Sequence, residues 1–336
     1  MNKLNKKSIV ITSISTPTEA IKAFANLEGY DLVVVGDRKT PPNWQHPNIH
    51  FISYQDQLKM NDEFINLLPS NHYSRKMVGY LYAIEKGAEI IIDTDDDNFP
   101  KANFGLPDFE GDFFVSEAKR NYVNVYSAYT NKKIWPRGFP LKKINFNDTR
   151  IIWKNLQKQN VKIGIWQGLV DKDPDVDAIF RLIDGDNCYF DERPPLVING
   201  GSICPFNSQN TAFRKELFPL LYLPATVSFR FTDILRGLIA QPLMWESGYK
   251  LGFTNATAFQ ERNLHDYLID FESEIPMYLN SEMVVETAFK KISSTESMEN
   301  NLFNIYKGLY ENSIVLEEEL NLLECWFQAL TKVKNK

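Results

Sequence analysis

Residues 90–97 read Ile-Ile-Ile-Asp-Thr-Asp-Asp-Asp. The three isoleucines form a continuous β-branched run, which is typical of a strand buried on both faces of a parallel sheet. Four carboxylates then follow within five residues, and in a folded loop they repel one another unless a cation neutralises them. Hard divalent cations prefer carboxylate oxygens as ligands. The stretch therefore predicts a buried strand that runs directly into a metal site.

The acidic run does not fit other known loop types. An EF-hand loop starting at Asp93 would need glycine where Asn98 stands and glutamate where Phe104 stands. The glycine-rich signatures of phosphate loops and dinucleotide-binding loops are absent. The remaining alternative to a metal site is an ordinary solvated acidic turn.

The residues around this stretch alternate between strand and helix patterns. Hydrophobic periodicity and turn residues predict strands at 8–14, 32–36, 49–53 and 89–92, and helices at 18–25 and 73–86. This alternation indicates an α/β fold with a mostly parallel sheet flanked by helices. Ligands of such sheets bind beyond the carboxyl ends of the strands.

The rest of the chain is less regular. Between about 98 and 272, prolines recur, and only short strands (161–166, 196–199) and helices (177–182, 232–240) are predicted, so this part is expected to be an irregular acceptor region. Amphipathic helices at 282–293 and 297–334 predict a helical C-terminal tail. We expect this tail either to pack on its own domain or to form the face of a homodimer.

Composition excludes several classes of protein. A net charge of −6 over 336 residues argues against a nucleic-acid partner. The three cysteines are widely spaced and odd in number, so they form no disulfide framework. No apolar run approaches the roughly 18 residues that a transmembrane helix needs. A cytoplasmic location is therefore expected, with peripheral attachment to a membrane left open.

Polar residues at the strand ends and at one helix start are the candidate nucleotide contacts. Thr12 and Asp37 follow the first two strands, and the Asp37 carboxylate can hydrogen-bond a ribose or a base edge or simply cap its own turn. Arg75 and Lys76 stand near the start of a helix, whose positive end favours anions such as a diphosphate. The alternative for this pair is a solvated helix face.

Within the acidic run, Asp95 and Asp97 are the predicted metal ligands. Asp93 is assigned to donor contact, and its alternative is a structural role beside the metal site. Asp233 is the candidate catalytic base for an acceptor hydroxyl. The alternative for Asp233 is a structural ion pair with Arg236, which lies three residues along the same predicted helix. Two further carboxylates, Asp175 and Asp177, are the reserve candidates for this role.

The order of strand, nucleotide loop, basic helix, strand and Asp-x-Asp resembles a GT-A-type glycosyltransferase. Longer motifs are similar to motifs of the STELLO-like glycosyltransferases, and the resemblance extends from about residue 8 to 280. The motifs are residues 35–41, 73–84, 135–140, 174–182, 207–211, 232–237 and 261–265. More distantly, the first half resembles the reversibly glycosylated polypeptides, which are UDP-arabinopyranose mutases. The chain shows no counterpart of the membrane anchor of the plant STELLO proteins.

This resemblance implies a Rossmann-like GT-A fold, a Mn²⁺ or Mg²⁺ cofactor, a nucleotide-sugar donor of the UDP-sugar type and a glycan acceptor. It also implies that His265 completes the metal shell, and Arg137 is assigned to phosphate or donor sugar. The expected division is a nucleotide-sugar-binding half at 1–115, a sugar- and acceptor-binding half at 116–280 and a helical extension at 281–336. The expected activity is sugar transfer in surface polysaccharide or glycan synthesis. The alternatives are a nucleotide-sugar mutase and a non-catalytic nucleotide-sugar-binding or assembly protein.

Overall fold

The computed structural model describes residues 6–60, 62–118, 121–145, 147–262 and 266–335. Its strands are β1 (Lys7–Thr12), β2 (Tyr30–Val35), β3 (Ile49–Ile52), β4 (Ile90–Thr94), β5 (Asn98–Pro100), β6 (Glu110–Val115), β7 (Gln157–Asp171), β8 (Leu196–Ile198), β9 (Asn210–Arg214) and β10 (Lys250–Gln260). Its α-helices are α1 (Glu19–Ala25), α2 (Tyr54–Lys59), α3 (Glu63–Leu67), α4 (Lys76–Glu85), α5 (Tyr126–Tyr129), α6 (Ala178–Ile183), α7 (Thr232–Glu246), α8 (Tyr267–Lys291), α9 (Met298–Glu311) and α10 (Glu318–Lys334).

All of these strands join one sheet, in the order β3-β2-β1-β4-β9-β7-β6-β8-β10-β5. The pairs β2–β3, β1–β2 and β1–β4 are parallel, as the continuous apolar runs predict. Beyond β4 the sheet is mixed, because β9 runs antiparallel to both β4 and β7. The predicted α/β class with flanking helices is confirmed and is consistent with a GT-A-like fold, while the mostly parallel arrangement holds for the β1–β4 part.

Both faces of the parallel part are buried. Val10, Val33 and Val35 point to the face covered by α4, whereas Ile9 and Val34 point to the face covered by α1. Because the strands end at the same edge, their following loops are brought together there. The predicted strands and helices of this part are confirmed, with the α-helix beginning at Lys76 after a 3₁₀ turn over Tyr73–Arg75.

The C-terminal tail is helical, as predicted, but its boundaries differ from the prediction. The first helix, α8, begins at Tyr267 rather than at 282, and the segment 297–334 divides into α9 and α10. α10 packs against α3 and α4. The rings of its Trp326 and of Phe64 are tilted against each other with their centroids 5.4 Å apart, and the Trp326 indole nitrogen donates to the Pro219 carbonyl at 3.1 Å. The buried side of α9 and α10 therefore packs on its own domain. Within the described ranges, no helix is long and apolar enough to cross a bilayer.

Four strands escaped the sequence prediction: β5, β6, β9 and β10. Most residues of β10 are buried, so the alternation of polar and apolar residues that marks a half-exposed strand is missing. It pairs with β7 in parallel and with β8 and β5 antiparallel. β10 thus brings its last residue, Gln260, next to the loop that follows β4.

Gly237 in α7 permits a close helix contact, which yields a stability prediction. A β-carbon there would lie 2.3 Å from the Phe206 carbonyl oxygen. We expect Gly237→Ala to lower the free energy of unfolding by about 2–3 kcal/mol because of this overlap. The loss should occur even though alanine favours the helix by about 1 kcal/mol relative to glycine. Urea denaturation measures this. Gly105→Ala is the matched control, since its new β-carbon would meet nothing nearer than 3.9 Å. Equal stability of the two variants would contradict the packing argument.

Candidate active site

A cavity of about 430 Å³ lies at the carboxyl ends of β1, β2 and β4. The loops after these strands form one side of it, and residues before α7 and after β10 form the other. The polar and charged side chains that line it are Thr12, Ser13, Ser15, Asp37, Lys39, Asn71, His72, Tyr73, Arg75, Asp95, Asp96, Asp97, Arg137, Arg230, Asp233, Gln260 and Arg262. This is the edge at which a ligand was expected.

The acidic loop is held in a fixed shape by its neighbours. Ser13 donates its hydroxyl to the Asp96 carboxylate at 2.5 Å, and Thr18 donates to the Asp96 carbonyl at 2.6 Å. On the other side, the Gln260 amide nitrogen lies 3.0 Å from both carboxylate oxygens of Asp97. Tyr73 donates its hydroxyl to Asp95 at 2.9 Å. The loop is therefore an ordered part of the cavity rather than a solvated turn.

The loop carboxylates carry more negative charge than the protein neutralises. Burial, together with the negative charges of Asp97 and Asp93, raises the pKa of Asp95 to about 7, although Lys76 opposes this shift. Burial is also the main cause of the raised pKa values of Asp96 and Asp97. A cation at this loop would favour the ionised forms, since opposite charge lowers the pKa of a carboxyl group.

These residues can contribute to a metal site but do not complete one. Within the described part of the chain, no three His, Cys, Asp or Glu side chains form a group that could hold a metal ion. Mg²⁺ usually takes one or two carboxylates and obtains its other ligands from phosphate oxygens and water. Asp95 and Asp97 fit that pattern. His265, the third predicted ligand, lies outside the described residues.

Asp93 and Lys76 belong to a buried ion-pair network rather than to the cavity. The Lys76 Nζ lies 2.5 Å from one Asp93 oxygen, and an Arg236 nitrogen lies 2.8 Å from the other. Both Asp93 and Lys76 are 0% exposed. Although burial opposes it, these two cations hold the pKa of Asp93 below its usual value. The structure thus corrects the prediction that Asp93 and Lys76 contact the donor.

Arg75 is also committed to the protein itself. Its guanidinium donates to the Gln57 side chain at 2.7 Å and to the Leu68 carbonyl at 2.9 Å. It borders the cavity but is 2% exposed. Burial lowers its pKa. This side chain links α2 to the end of α3, and the predicted diphosphate contact through Arg75 stays a prediction.

Arg137 and Asp233 neutralise each other beside the cavity. Arg137 donates to both oxygens of Asp175, to both oxygens of Asp233 and to the Arg230 carbonyl, which uses all five of its N–H groups. Burial opposes a rise in the pKa of Arg137, but the two carboxylates outweigh it and raise that pKa. In this arrangement no donor of Arg137 is left for a phosphate or a sugar, and its predicted role in donor binding stays a prediction.

The Asp233 carboxylate is equally occupied. It also accepts from the backbone N–H groups of Ser208 and Ile234, at 3.1 and 3.0 Å. Asp233 forms an ion pair with Arg137 rather than with Arg236, and its role as catalytic base stays a prediction. Among the reserve candidates, Asp175 binds Arg137 and Asp177 caps α6 through the Phe180 N–H at 2.9 Å.

Thr12 and Asp37 do border the cavity, as predicted. Asp37 accepts from the backbone N–H groups of Arg38 at 2.7 Å and His72 at 3.1 Å, so it also fixes its own turn. A nucleoside contact by Thr12 or Asp37 remains a prediction. The preceding Gly36 leaves room for the ring of Phe51, which a β-carbon would approach to 2.9 Å.

Sequence reasoning missed two arginines of this cavity, Arg230 and Arg262. Arg230 donates twice to Glu274, at 3.0 and 2.8 Å, and Arg262 donates to Asp270 at 2.9 Å. Arg262 lies within the motif at 261–265, which could have suggested it. Arg230 stands just before the motif at 232–237, with no local pattern to distinguish it.

The fold and the site are those of an α/β protein with an ordered acidic loop at the carboxyl ends of parallel strands. The family model of the STELLO glycosyltransferases matches residues 230–336. The Arabidopsis thaliana protein named probable glycosyltransferase STELLO1 is 28% identical over 353 residues, and probable glycosyltransferase STELLO2 of the same plant is 26% identical over 349 residues. These alignments cover 99% and 98% of this chain. The predicted resemblance to the STELLO-like family is confirmed.

The chain spans 45% of the length of each of these two relatives. A mycobacterial protein of known crystal structure superposes with a TM-score of 0.40 at 10% identity, over 83% of this chain and 74% of that one. That similarity is too low to carry an argument about fold or function.

Asp93 and Asp95 lie two residues apart, but replacing each by asparagine should change the free energy of unfolding in opposite directions. We expect Asp93→Asn to lower the free energy of unfolding by about 3–5 kcal/mol, since it leaves two buried cations without their counter-charge. Asp95→Asn should raise it at pH 8 in the absence of divalent cations, because the folded protein disfavours the ionised Asp95 carboxyl.

The pH dependence follows from the sign of the Asp95 shift. Its pKa is about 7 in the folded state against a usual value of 3.8, so the contribution of Asp95 to stability falls as pH rises between about 4 and 7. The gain in Asp95→Asn should therefore be complete above pH 7 and vanish near pH 4. Urea unfolding in EDTA at several pH values measures both variants. The ion-pair argument is wrong if Asp93→Asn does not lower the free energy of unfolding relative to the wild type.

Proposed function

We propose that this chain is a metal-dependent glycosyltransferase that moves a sugar from a nucleotide diphosphate sugar, of the UDP-sugar type, to a glycan acceptor hydroxyl in surface polysaccharide or glycan synthesis. The resemblance to the STELLO glycosyltransferases supports the general activity. One observation carries the more specific proposal. Asp95 and Asp97 face a cavity at the carboxyl ends of parallel strands, and burial, together with the charges of neighbouring carboxylates, raises the pKa values of both.

The first part of the sheet would hold the nucleoside. Thr12 and Asp37 follow β1 and β2 on the side of the cavity formed by these strands. Their hydroxyl and carboxylate groups are suited to the polar edges of a ribose or a base. Contacts with such non-reacting groups supply binding energy that positions the reacting atoms of the donor.

Asp95 and Asp97 would hold Mn²⁺ or Mg²⁺, which neutralises the charge that develops on a departing nucleoside diphosphate. The protein positions both carboxylates in advance: Tyr73 orients Asp95, and Gln260 orients Asp97. Gln260 is itself held by the Gln209 amide, whose nitrogen donates to it at 2.8 Å. Such outer contacts fix the direction of metal ligands and are important for affinity.

The test is incubation of the purified chain with UDP-, GDP- and CMP-sugars plus Mn²⁺, scored for sugar-dependent release of nucleotide. We expect release with a UDP-sugar, and a loss of about 100-fold or more in Asp95→Asn and Asp97→Asn, since each removes preorganised charge stabilisation. Asp112→Asn, at an exposed position on β6, is the matched control and should retain full activity.

Other outcomes would replace the proposal. Isomerised donor without an acceptor would indicate a mutase, and tight donor binding without turnover would indicate a non-catalytic binding protein. If no nucleotide sugar binds and neither variant alters the affinity for Mn²⁺ or UDP, the proposed site is wrong.

A further inference from the structure

Five cationic side chains border the cavity within the described residues, and they differ in what they offer a ligand. Arg75 and Arg137 use their guanidinium groups inside the protein, whereas Lys39 is exposed on the loop after β2, close in sequence to Asp37. Arg230 and Arg262 each keep a hydrogen-bond donor that no described residue uses. Arg230 lies just before α7, and Arg262 lies just after β10.

Arg262 has an unused hydrogen-bond donor although it is largely buried. Its side chain is 9% exposed, and its Nε has no hydrogen-bond partner among the residues that the structure describes. A carboxylate oxygen of Asp173 lies 4.0 Å from Nε, beyond hydrogen-bond distance. Burial and the positive charges of Arg181 and Arg230 lower the pKa of Arg262, although Asp173 and Asp270 oppose this shift. A largely buried guanidinium with an unused donor beside a cavity is suited to an anion.

Arg230 is held so that one edge of its guanidinium stays available. Its Nε and Nη2 donate to the same Glu274 oxygen, at 3.0 and 2.8 Å. Within the described part of the chain, Nη1 makes no hydrogen bond. Arginine can bind phosphate oxygens with its planar fork of donors, provided that the fork is correctly oriented.

Glu274 supplies that orientation from the middle of α8. It is 0% exposed, and its second oxygen accepts from the Ala178 N–H at 2.8 Å and the Tyr278 hydroxyl at 2.5 Å. The carboxylate is thus fixed by α6 and α8 together. It does not border the cavity, so it acts on a ligand only through Arg230.

We propose that Arg230 and Arg262 form a subsite for the phosphate groups of the bound nucleotide, and that Glu274 is the positioning residue of this subsite. The proposal rests on the proposed function, which it deepens by assigning the diphosphate to residues other than Arg75 and Lys76. A diphosphate in the cavity would then lie between the two arginines and the acidic loop. Positive charge would face it from both sides once a cation is held by Asp95 and Asp97.

The experiment is calorimetric titration of the full chain with UDP, uridine and inorganic pyrophosphate, with and without Mn²⁺. We expect Arg230→Gln and Arg262→Gln to weaken UDP and pyrophosphate binding about tenfold or more and to leave uridine binding unchanged. Arg193→Gln is the matched control, since Arg193 is exposed and paired with Asp191 at 3.1 Å. It should bind all three ligands as the wild type does.

Glu274→Gln separates positioning from charge. The substitution makes the surroundings of Arg230 more positive by one charge. If Glu274 acted only by neutralising Arg230, its replacement would therefore tighten the binding of the UDP anion. We expect UDP binding to weaken about three- to tenfold with uridine binding unchanged. Arg230→Lys keeps the charge, loses the planar fork and should weaken UDP binding similarly, which provides the test if Glu274→Gln does not fold.

The two proposals can fail separately. Unchanged UDP and pyrophosphate affinity in both arginine variants would overturn the subsite, even if the chain proves to be a glycosyltransferase. Tighter UDP binding by Glu274→Gln would overturn the positioning role. If the wild type binds pyrophosphate through Arg230 and Arg262 but binds no nucleotide or nucleotide sugar, the anion site stands and the proposed function fails.

Discussion

The buried ion-pair network of Lys76, Asp93 and Arg236 is the constraint on which the rest of the site depends. It joins α4, the end of β4 and α7 at a point without access to water. Burying these charges is costly, and their mutual attraction and hydrogen bonds offset that cost. Lys76 also donates to the Thr94 carbonyl at 2.6 Å, and Arg236 donates to the Ser208 hydroxyl at 2.7 Å. The acidic loop therefore starts from a fixed position.

This network also explains why neighbouring carboxylates behave differently. Asp93 receives two cations and is stabilised in its ionised form, whereas Asp95 shares only Lys76 and lies near other carboxylates. A run of aspartates in a sequence looks uniform. The difference arises from Arg236, which lies over a hundred residues further along the chain and reaches β4 only because α7 packs there. Local sequence could predict the loop but not the division of roles within it.

Features that depend on neighbouring residues in the sequence could be predicted, whereas side-chain contacts between distant parts of the chain could not. Continuous apolar strands, the α4 helix and the cavity at the strand ends follow from local patterns, and these were predictable. The role of Arg75 was not, because carbonyl groups of the preceding segment occupy its guanidinium. Arg137 lies between two aspartates from separate segments, and Arg230 is oriented by a glutamate of α8. Each of these outcomes depends on packing between distant parts of the chain.

The anchoring of the acidic loop links its carboxylates to opposite halves of the sheet. Asp96 is fastened to the loop after β1, and its neighbour Asp97 is fastened to the end of β10. Any widening between these two parts of the sheet would change the spacing of adjacent carboxylates. A small ion such as Mg²⁺ demands nearly ideal octahedral geometry, whereas a larger ion tolerates more variation. If the proposed cation binds at this loop, the stiffness of the sheet would become a determinant of selectivity for ionic radius.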